Sequence, residues 1–217
     1  LKYINNKRKL YISTVADIPD STGLGSSSAF TVGLLKALYF IQNKKKTNKQ
    51  LAEIASKIEI DVLKSPIGKQ DQYACALGGC NIISFNKNGS VKVKTIKNKK
   101  IINNLINKCS LIWTGKFKKS SKILSDQKKR IQLNYDNLKK MLEFTKKLEK
   151  NIESNSFKIK NFRYFLNHSW LLKKNLSNKI SNRKIDNIIN KFNFKKYNFK
   201  LLGAGGGGFI YVSGKNH

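Results

Sequence analysis

Gly203-Ala-Gly-Gly-Gly-Gly208 is the stretch that most restricts what this chain can fold into. It lies between two apolar runs, Phe199-Lys-Leu-Leu202 and Phe209-Ile-Tyr-Val212. Glycine weakens a strand interior because it costs backbone entropy and packs no side chain. The flanking runs therefore read as strands and the glycines as the loop joining them. Such a run is useful where a second backbone, or a ligand, must come very close. The plainer reading is a bulged hairpin.

A second glycine-bearing stretch lies far upstream, Asp17-Ile-Pro-Asp-Ser-Thr-Gly-Leu-Gly-Ser-Ser-Ser-Ala-Phe30. The alternating run Lys9–Val15 before it predicts a strand, and Ala29–Ile41 after it predicts a buried helix. A glycine loop opening a helix suits an anion: glycine permits close approach, successive amides form a nest, and the helix start adds unpaired N–H groups and a positive dipole end. Serine hydroxyls can donate to phosphate or coordinate magnesium. The plainer alternative is a turn whose serine caps the helix.

Between these loops the pattern alternates helices and strands. Thr47 with Gln50 predicts a capping box. The helix that follows would bury Leu51, Ile54, Ala55, Ile58 and Val62, with Glu59 near its end. Pro66 and Gly68 mark a turn before a short helix over Gln70–Leu77, stopped by Gly78 and Gly79. Asn81–Phe85 and Ser90–Ile96 read as a hairpin. The Lys/Asn-rich stretch Lys97–Lys108 separates two domains, 1–105 and 106–217. Beyond it the reading is a strand over Cys109–Thr114, then helices over Ser121–Glu149, Asn161–Leu176 and Ile180–Phe192. The first of these helices is expected to bury Ile123, Leu124, Ile131, Leu138, Met141, Leu142 and Leu148.

Glu59 and Asp71, separated by a Pro/Gly turn, complete a set that phosphoryl transfer can use. That reaction asks for positioned phosphates, a magnesium ion held by hard oxygens, and a carboxylate beside the attacking hydroxyl. Taken alone, the two carboxylates read as a solvated face. The Walker pattern is absent.

Asp17-Ile-Pro-x-x-x-Gly-Leu-Gly-Ser-Ser-Ser-Ala29 resembles the phosphate-binding motif of the GHMP kinases, which include galactokinase, homoserine kinase and mevalonate kinase. Leu201-Leu-Gly-Ala-Gly-Gly-Gly-Gly-Phe209 resembles their third motif, and Ile67-Gly-Lys-Gln-Asp-Gln-Tyr73 the loop that carries their catalytic aspartate. The resemblance implies an α+β, two-domain fold: an incomplete N-terminal ATP-binding domain with a βαβ crossover, a ferredoxin-like C-terminal domain, and a site in the cleft between. It makes Asp71 the catalytic carboxylate and Ser27 and Glu59 the Mg²⁺ ligands. Gly23, Leu24, Gly25, Ser26, Ser27 and Ser28 would line the phosphates of ATP, and Gly203, Gly205, Gly206 and Gly207 would support substrate and phosphate. The implied activity is an ATP-dependent phosphotransfer to a sugar or sugar phosphate. Glu59-Ile-Asp-Val-Leu63 and Lys179-Ile-Ser-Asn182 point within the family to the anomeric hydroxyl of D-glycero-D-manno-heptose 7-phosphate. A galactokinase- or fucokinase-like acceptor is the alternative, and a non-catalytic fragment a further one. The family's first motif and its last helix and strand are not matched, and the chain opens on Leu1, so an internal piece of a longer kinase is expected.

Composition narrows the partners. Cys75, Cys80 and Cys109 have neither a paired nor a zinc spacing, which suits a reducing cytoplasm. No run is long enough to span a bilayer, and no membrane partner is expected. The oligomeric state is left open. The net charge of +32 raises nucleic acid as a partner, yet only Arg8, Arg130, Arg163 and Arg183 offer a guanidinium. The charge reads as a compositional bias toward lysine that also draws in small polyanions. Duplex DNA should therefore bind weakly, without sequence preference, and lose nearly all affinity between low and physiological salt in a titration. A sequence-preferring complex that survives physiological salt would make nucleic acid the primary partner.

Overall fold

The structure, a computed structural model, describes residues 9–106, 109–117, 120–154, 157–191 and 197–214. They fall into two compact units. One comprises Gly25–Gly79 with the described residues up to Asp20; the other comprises Ser21–Leu24 with the described residues from Cys80 onward.

The first unit is helical. Helix α1 (Ser26–Ile41) places Val32, Leu35 and Leu38 on one face, at i, i+3 and i+6. These pack on Leu51 and Ala55 of α2 (Asn48–Lys57). The expected capping box is present: Gln50 N donates to Thr47 Oγ1 and Thr47 N donates to Gln50 Oε1. The regular helix does not run on to Val62. Over Ile58–Val62 it widens into a π-helix, with Leu63 N bonded to Ile58 O. The extra residue per turn sets the phase back by about a quarter turn, and Val62 faces solvent instead of the core. Helix α3 (Gln70–Leu77) has its predicted limits, ended by Gly78 and Gly79 at positive φ.

The strand expected over Lys9–Val15 is not formed. Those residues are irregular, and Tyr11 and Val15 are each 95% exposed. An alternating pattern becomes a strand only beside a partner edge, and none pairs with it among the described residues. The βαβ crossover is accordingly not formed among the described residues either.

The second unit holds both sheets. The hairpin β1 (Asn81–Phe85) and β2 (Val91–Thr95) turns at Asn86–Gly89 as expected. Lys97–Lys108 is not a bare spacer. Helix α4 (Lys99–Ile106) occupies most of it, capped by the Asn98 side chain and burying Ile101; Asn107 and Lys108 lie outside the described residues. Strands β3 (Cys109–Trp113), β4 (Tyr197–Leu201) and β5 (Phe209–Gly214) form an antiparallel sheet in the order β3-β5-β4. Phe199, Leu201, Ile210 and Val212 point to one core. The expected long helix breaks at Arg130–Asn134 into α5 (Ser120–Lys129) and α6 (Tyr135–Glu153). Ile123 of α5 is fully buried, whereas Ile131, Leu138 and Leu142 face solvent. Helices α7 (Ile159–Lys174) and α8 (Arg183–Asn190) supply Trp170, Ile185 and Ile189 to the same core. Phe192, the expected end of α8, lies outside the described residues.

The α+β class expected from the sequence is present, and no described helix is long and apolar enough to cross a membrane. Cys75, Cys80 and Cys109 are free thiols.

The glycine run meets other backbone. A Cβ at Gly208 would sit 2.1 Å from the Thr22 carbonyl oxygen, and one at Gly203 would sit 2.6 Å from the Gly23 Cα. Gly33, inside α1, has open space around it. Gly208→Ala should therefore cost about 2–4 kcal/mol in denaturant unfolding. Gly33→Ala should gain about 0.5–1 kcal/mol from helix propensity. Equal stability of the two variants would mean that the close approach does not constrain the fold.

Candidate active site

Helix α1 begins without a side-chain cap. Gly25 is its N-cap in the left-handed region, φ 77°, and the first backbone bond runs from Ala29 N to Gly25 O. Helix geometry leaves the amides of Ser26, Ser27 and Ser28 without an intrahelical acceptor. The serines do not cap the helix. Ser26 Oγ donates to Pro19 O at 3.4 Å, and the other two turn to Glu59.

Glu59 sits on the π-helix and is only 3% exposed. Ser27 Oγ donates to its Oε1 at 2.6 Å, Ser28 Oγ to its Oε2 at 3.0 Å, and Gln72 Nε2 to the same Oε2 at 2.5 Å. All three donors are neutral. Hydrogen bonds of this kind compensate a buried carboxyl group for the water it loses. Pairs of hard oxygens such as Ser27 Oγ and a Glu59 oxygen suit Mg²⁺, which commonly takes one or two carboxylates and completes its shell with water and phosphate. Among the described residues no three His, Cys, Asp or Glu side chains gather as a metal cluster. The donor set therefore fits a nucleotide-borne ion better than a metal caged by protein alone.

Asp71 lies in the first turn of α3, close to the loop. A Cβ on Gly25 would be 3.5 Å from the Asp71 Cβ and 3.7 Å from Cys75 Sγ. Its side chain keeps an open face to solvent. Partial burial, and secondarily the Glu59 charge, hold its carboxyl above the usual carboxylate range. Burial and the same two carboxylates push the Cys75 thiol up as well.

Gln72 escaped the sequence reading. It is fully buried, and its Oε1 finds no hydrogen-bond partner among the described residues. A glutamine in a short helix reads as a solvated residue, and only the packing of α3 against α1 and α2 turns it inward.

In the second unit, Thr22 and Gly23 lie against the glycine run, two of whose amides are committed. Gly206 N donates to Ile180 O at 2.7 Å and Gly208 N to Lys116 O at 3.0 Å. A Cβ at Gly205 would press on Ile180, and one at Gly207 on the Lys116 carbonyl. Gly203, Gly205, Gly206 and Gly207 thus touch neighbouring backbone. The loop that the sequence presents as one motif divides, Ser21–Leu24 packing in one unit and Gly25–Ser28 in the other.

Residues 1–79 match the GHMP kinases N terminal domain. This part of the chain is similar to the N-terminal domain of the GHMP kinases. The chain is similar to the D-glycero-alpha-D-manno-heptose 7-phosphate kinase of Campylobacter jejuni, 28% identical over 210 residues that cover 92% of this chain and 60% of the relative. It is also similar to the mevalonate kinase of Methanocaldococcus jannaschii, 29% identical over 233 residues that cover 98% of this chain and 64% of that protein. Among solved structures, a D-glycero-D-manno-heptose 1-phosphate kinase from Bacteriodes thetaiotaomicron superposes with a TM-score of 0.69 at 25% identity, covering 91% of this chain and 54% of that one. The chain spans 54% to 64% of the length of these GHMP kinases. Their likeness bears out the α+β, GHMP kinase-like fold.

The raised Asp71 carboxyl gives a stability test with a definite sign. Between its ordinary value of 3.8 and its folded value, the folded protein holds a proton that the unfolded chain has lost. Stability therefore falls as pH rises through that window, and the cost persists at neutrality. Asp71→Asn should raise the melting temperature at pH ~7 and lose that advantage as pH falls toward 3.8. A lower melting temperature at neutral pH would make Asp71 a structural residue.

Proposed function

We propose that this chain carries the phosphate-binding and hydroxyl-activating groups of an ATP-dependent sugar kinase. Its acceptor in this reading is the anomeric hydroxyl of D-glycero-D-manno-heptose 7-phosphate. The observation that carries the proposal is the buried Glu59 carboxylate under the start of α1, bonded to Ser27 at 2.6 Å, beside an Asp71 carboxyl that burial and then the Glu59 charge raise. The similarity to a heptose 7-phosphate kinase supports the choice of acceptor.

In this reading residues 1–105 form the ATP-binding domain and 106–217 the C-terminal domain. The loop amides from Gly23 to Ser28, with Leu24 between the two glycines, bind the phosphates of ATP at the helix start. Ser27 and Glu59 would hold Mg²⁺, whose charge neutralises the phosphates when bound. Gly203 serves by letting the backbone of Gly23 sit close, while Gly205 and Gly206 pack on Ile180 and Gly207 on Lys116 to support that bend. Asp71 orients the acceptor hydroxyl and takes its proton as that oxygen bonds to the γ-phosphorus and the bond to ADP breaks. Its raised carboxyl makes it a stronger base than an ordinary aspartate.

The test is single-turnover phosphorylation by the protein that carries this chain, with ATP affinity measured alongside. Asp71→Asn should lower turnover by about 10²–10⁴-fold with ATP affinity nearly unchanged. Gly25→Val should abolish ATP binding, because a β-branched residue resists φ 77° and fills the space before Asp71. Turnover of Asp71→Asn within about threefold of the parent removes Asp71 from the chemistry. Unchanged ATP affinity in Gly25→Val removes the loop from the nucleotide site, and preferential phosphorylation of galactose or fucose would transfer the acceptor assignment to those sugars.

A further inference from the structure

Lys173, near the end of α7, is a buried cation to which neither the sequence reading nor the proposed mechanism gives a role. The residue is 9% exposed, and its ammonium forms no ion pair with a carboxylate among the described residues. It donates instead to two backbone carbonyls at the point where β4 leaves the sheet, Leu201 O at 3.1 Å and Gly203 O. Gly203 is the glycine whose Cα faces Gly23: no Cβ fits between them, and its own φ is 61°. A contact series thus runs from Lys173 Nζ through Gly203 to the backbone of Gly23.

We propose that Lys173 is a positioning residue for the phosphate loop, holding the bend from β4 into the glycine run so that Gly203 presents a fixed surface to Gly23. This rests on the reading of that loop as the nucleotide-phosphate site, but its geometry is independent of that reading. Two carbonyls left without Lys173 would be unsatisfied acceptors beside a core of Phe199, Leu201 and Trp170, so the bend and the lysine require each other. A methionine fills similar volume but donates nothing. An arginine keeps the charge but not the shape.

Protonation adds a signature. Burial, and then the neighbouring Lys200 of β4, lower Lys173 to about 7. Among the described residues of the elements packed against α7, Lys200 is the charged group that acts on it. The protonated amine makes charge-assisted bonds and has no carboxylate partner among the described residues, so it grips the two carbonyls more tightly than the neutral amine does. The global effect has the opposite sign. Between about 7 and 10.5 the unfolded chain holds the proton that the folded one has lost, so overall stability rises with pH while the local bend loosens.

The experiment compares wild type, Lys173→Met and Lys173→Arg by hydrogen–deuterium exchange, with ATP affinity measured on the same samples. Lys173→Met should exchange faster at residues 21–25 and 203–208 while β5 stays protected. Its ATP affinity should fall about tenfold, the lower end of what loss of an orienting partner costs. Lys173→Arg should recover part of both. Faster loop exchange with no ATP binding in wild type would uphold the positioning role and sink the nucleotide reading instead. Loop exchange and ATP affinity both unchanged in a folded Lys173→Met would overturn the proposal. Should Lys173→Met fail to fold, wild type is compared about one pH unit either side of about 7, corrected for intrinsic exchange. Selective loss of protection at 21–25 and 203–208 on the alkaline side supports the role, and a uniform response overturns it.

Discussion

The close passage of two stretches of backbone, Thr22–Gly23 against Gly203–Gly208, is the constraint on which the second unit's loops depend. Positions 203, 205, 207 and 208 leave no room for a Cβ, because a carbonyl or a Cα already occupies the place. The amides of Gly206 and Gly208 go to Ile180 and Lys116, and Thr114 donates to Gly208 O from both its amide and its hydroxyl. The loop is therefore backbone packed on backbone, hydrogen-bonded at most of its turns. Its rigidity does not come from side chains, since glycine has none to offer.

The first unit solves a different problem, that of keeping a carboxylate charged inside a small helical core. The +32 chain has many cations, yet among the described residues none forms an ion pair with Glu59. Two hydroxyls and one amide replace the lost water, and the carboxylate adds to burial in raising the carboxyl of Asp71. A site that leaves a negative charge uncompensated is poised for a cation. The π-helix carries Glu59 and departs from regular helix just there, in keeping with the frequent occurrence of such turns at functional positions.

Local rules were legible wherever a residue's own chemistry dictated the outcome. The Thr47/Gln50 capping box, the limits of α3 with its glycine stop, the Asn86–Gly89 hairpin and the strand–glycine–strand unit all follow from spacing and backbone preference. They are contacts within a few residues, so the sequence contains both partners. The motifs around Gly23, Asp71 and Gly203 were legible for the same reason, as short strings whose residue types suit phosphate and carboxylate chemistry.

What failed was whatever needed a distant partner. Lys9–Val15 alternates like a strand but pairs with no edge among the described residues, and Lys97–Lys108 looks like a spacer but becomes a helix because Ile101 finds a core. Gln72 and Lys173 are polar residues that sequence assigns to solvent, and tertiary packing buries each against a specific acceptor. The sequence by itself determined the loops, caps and candidate carboxylates, because these depend on φ preferences and hydrogen bonds closed over one turn. Tertiary structure alone decided which polar groups are desolvated together. Burial is a property of everything that packs around a residue, and it makes Glu59 a charge held by neutral donors and Lys173 a cation held by carbonyls.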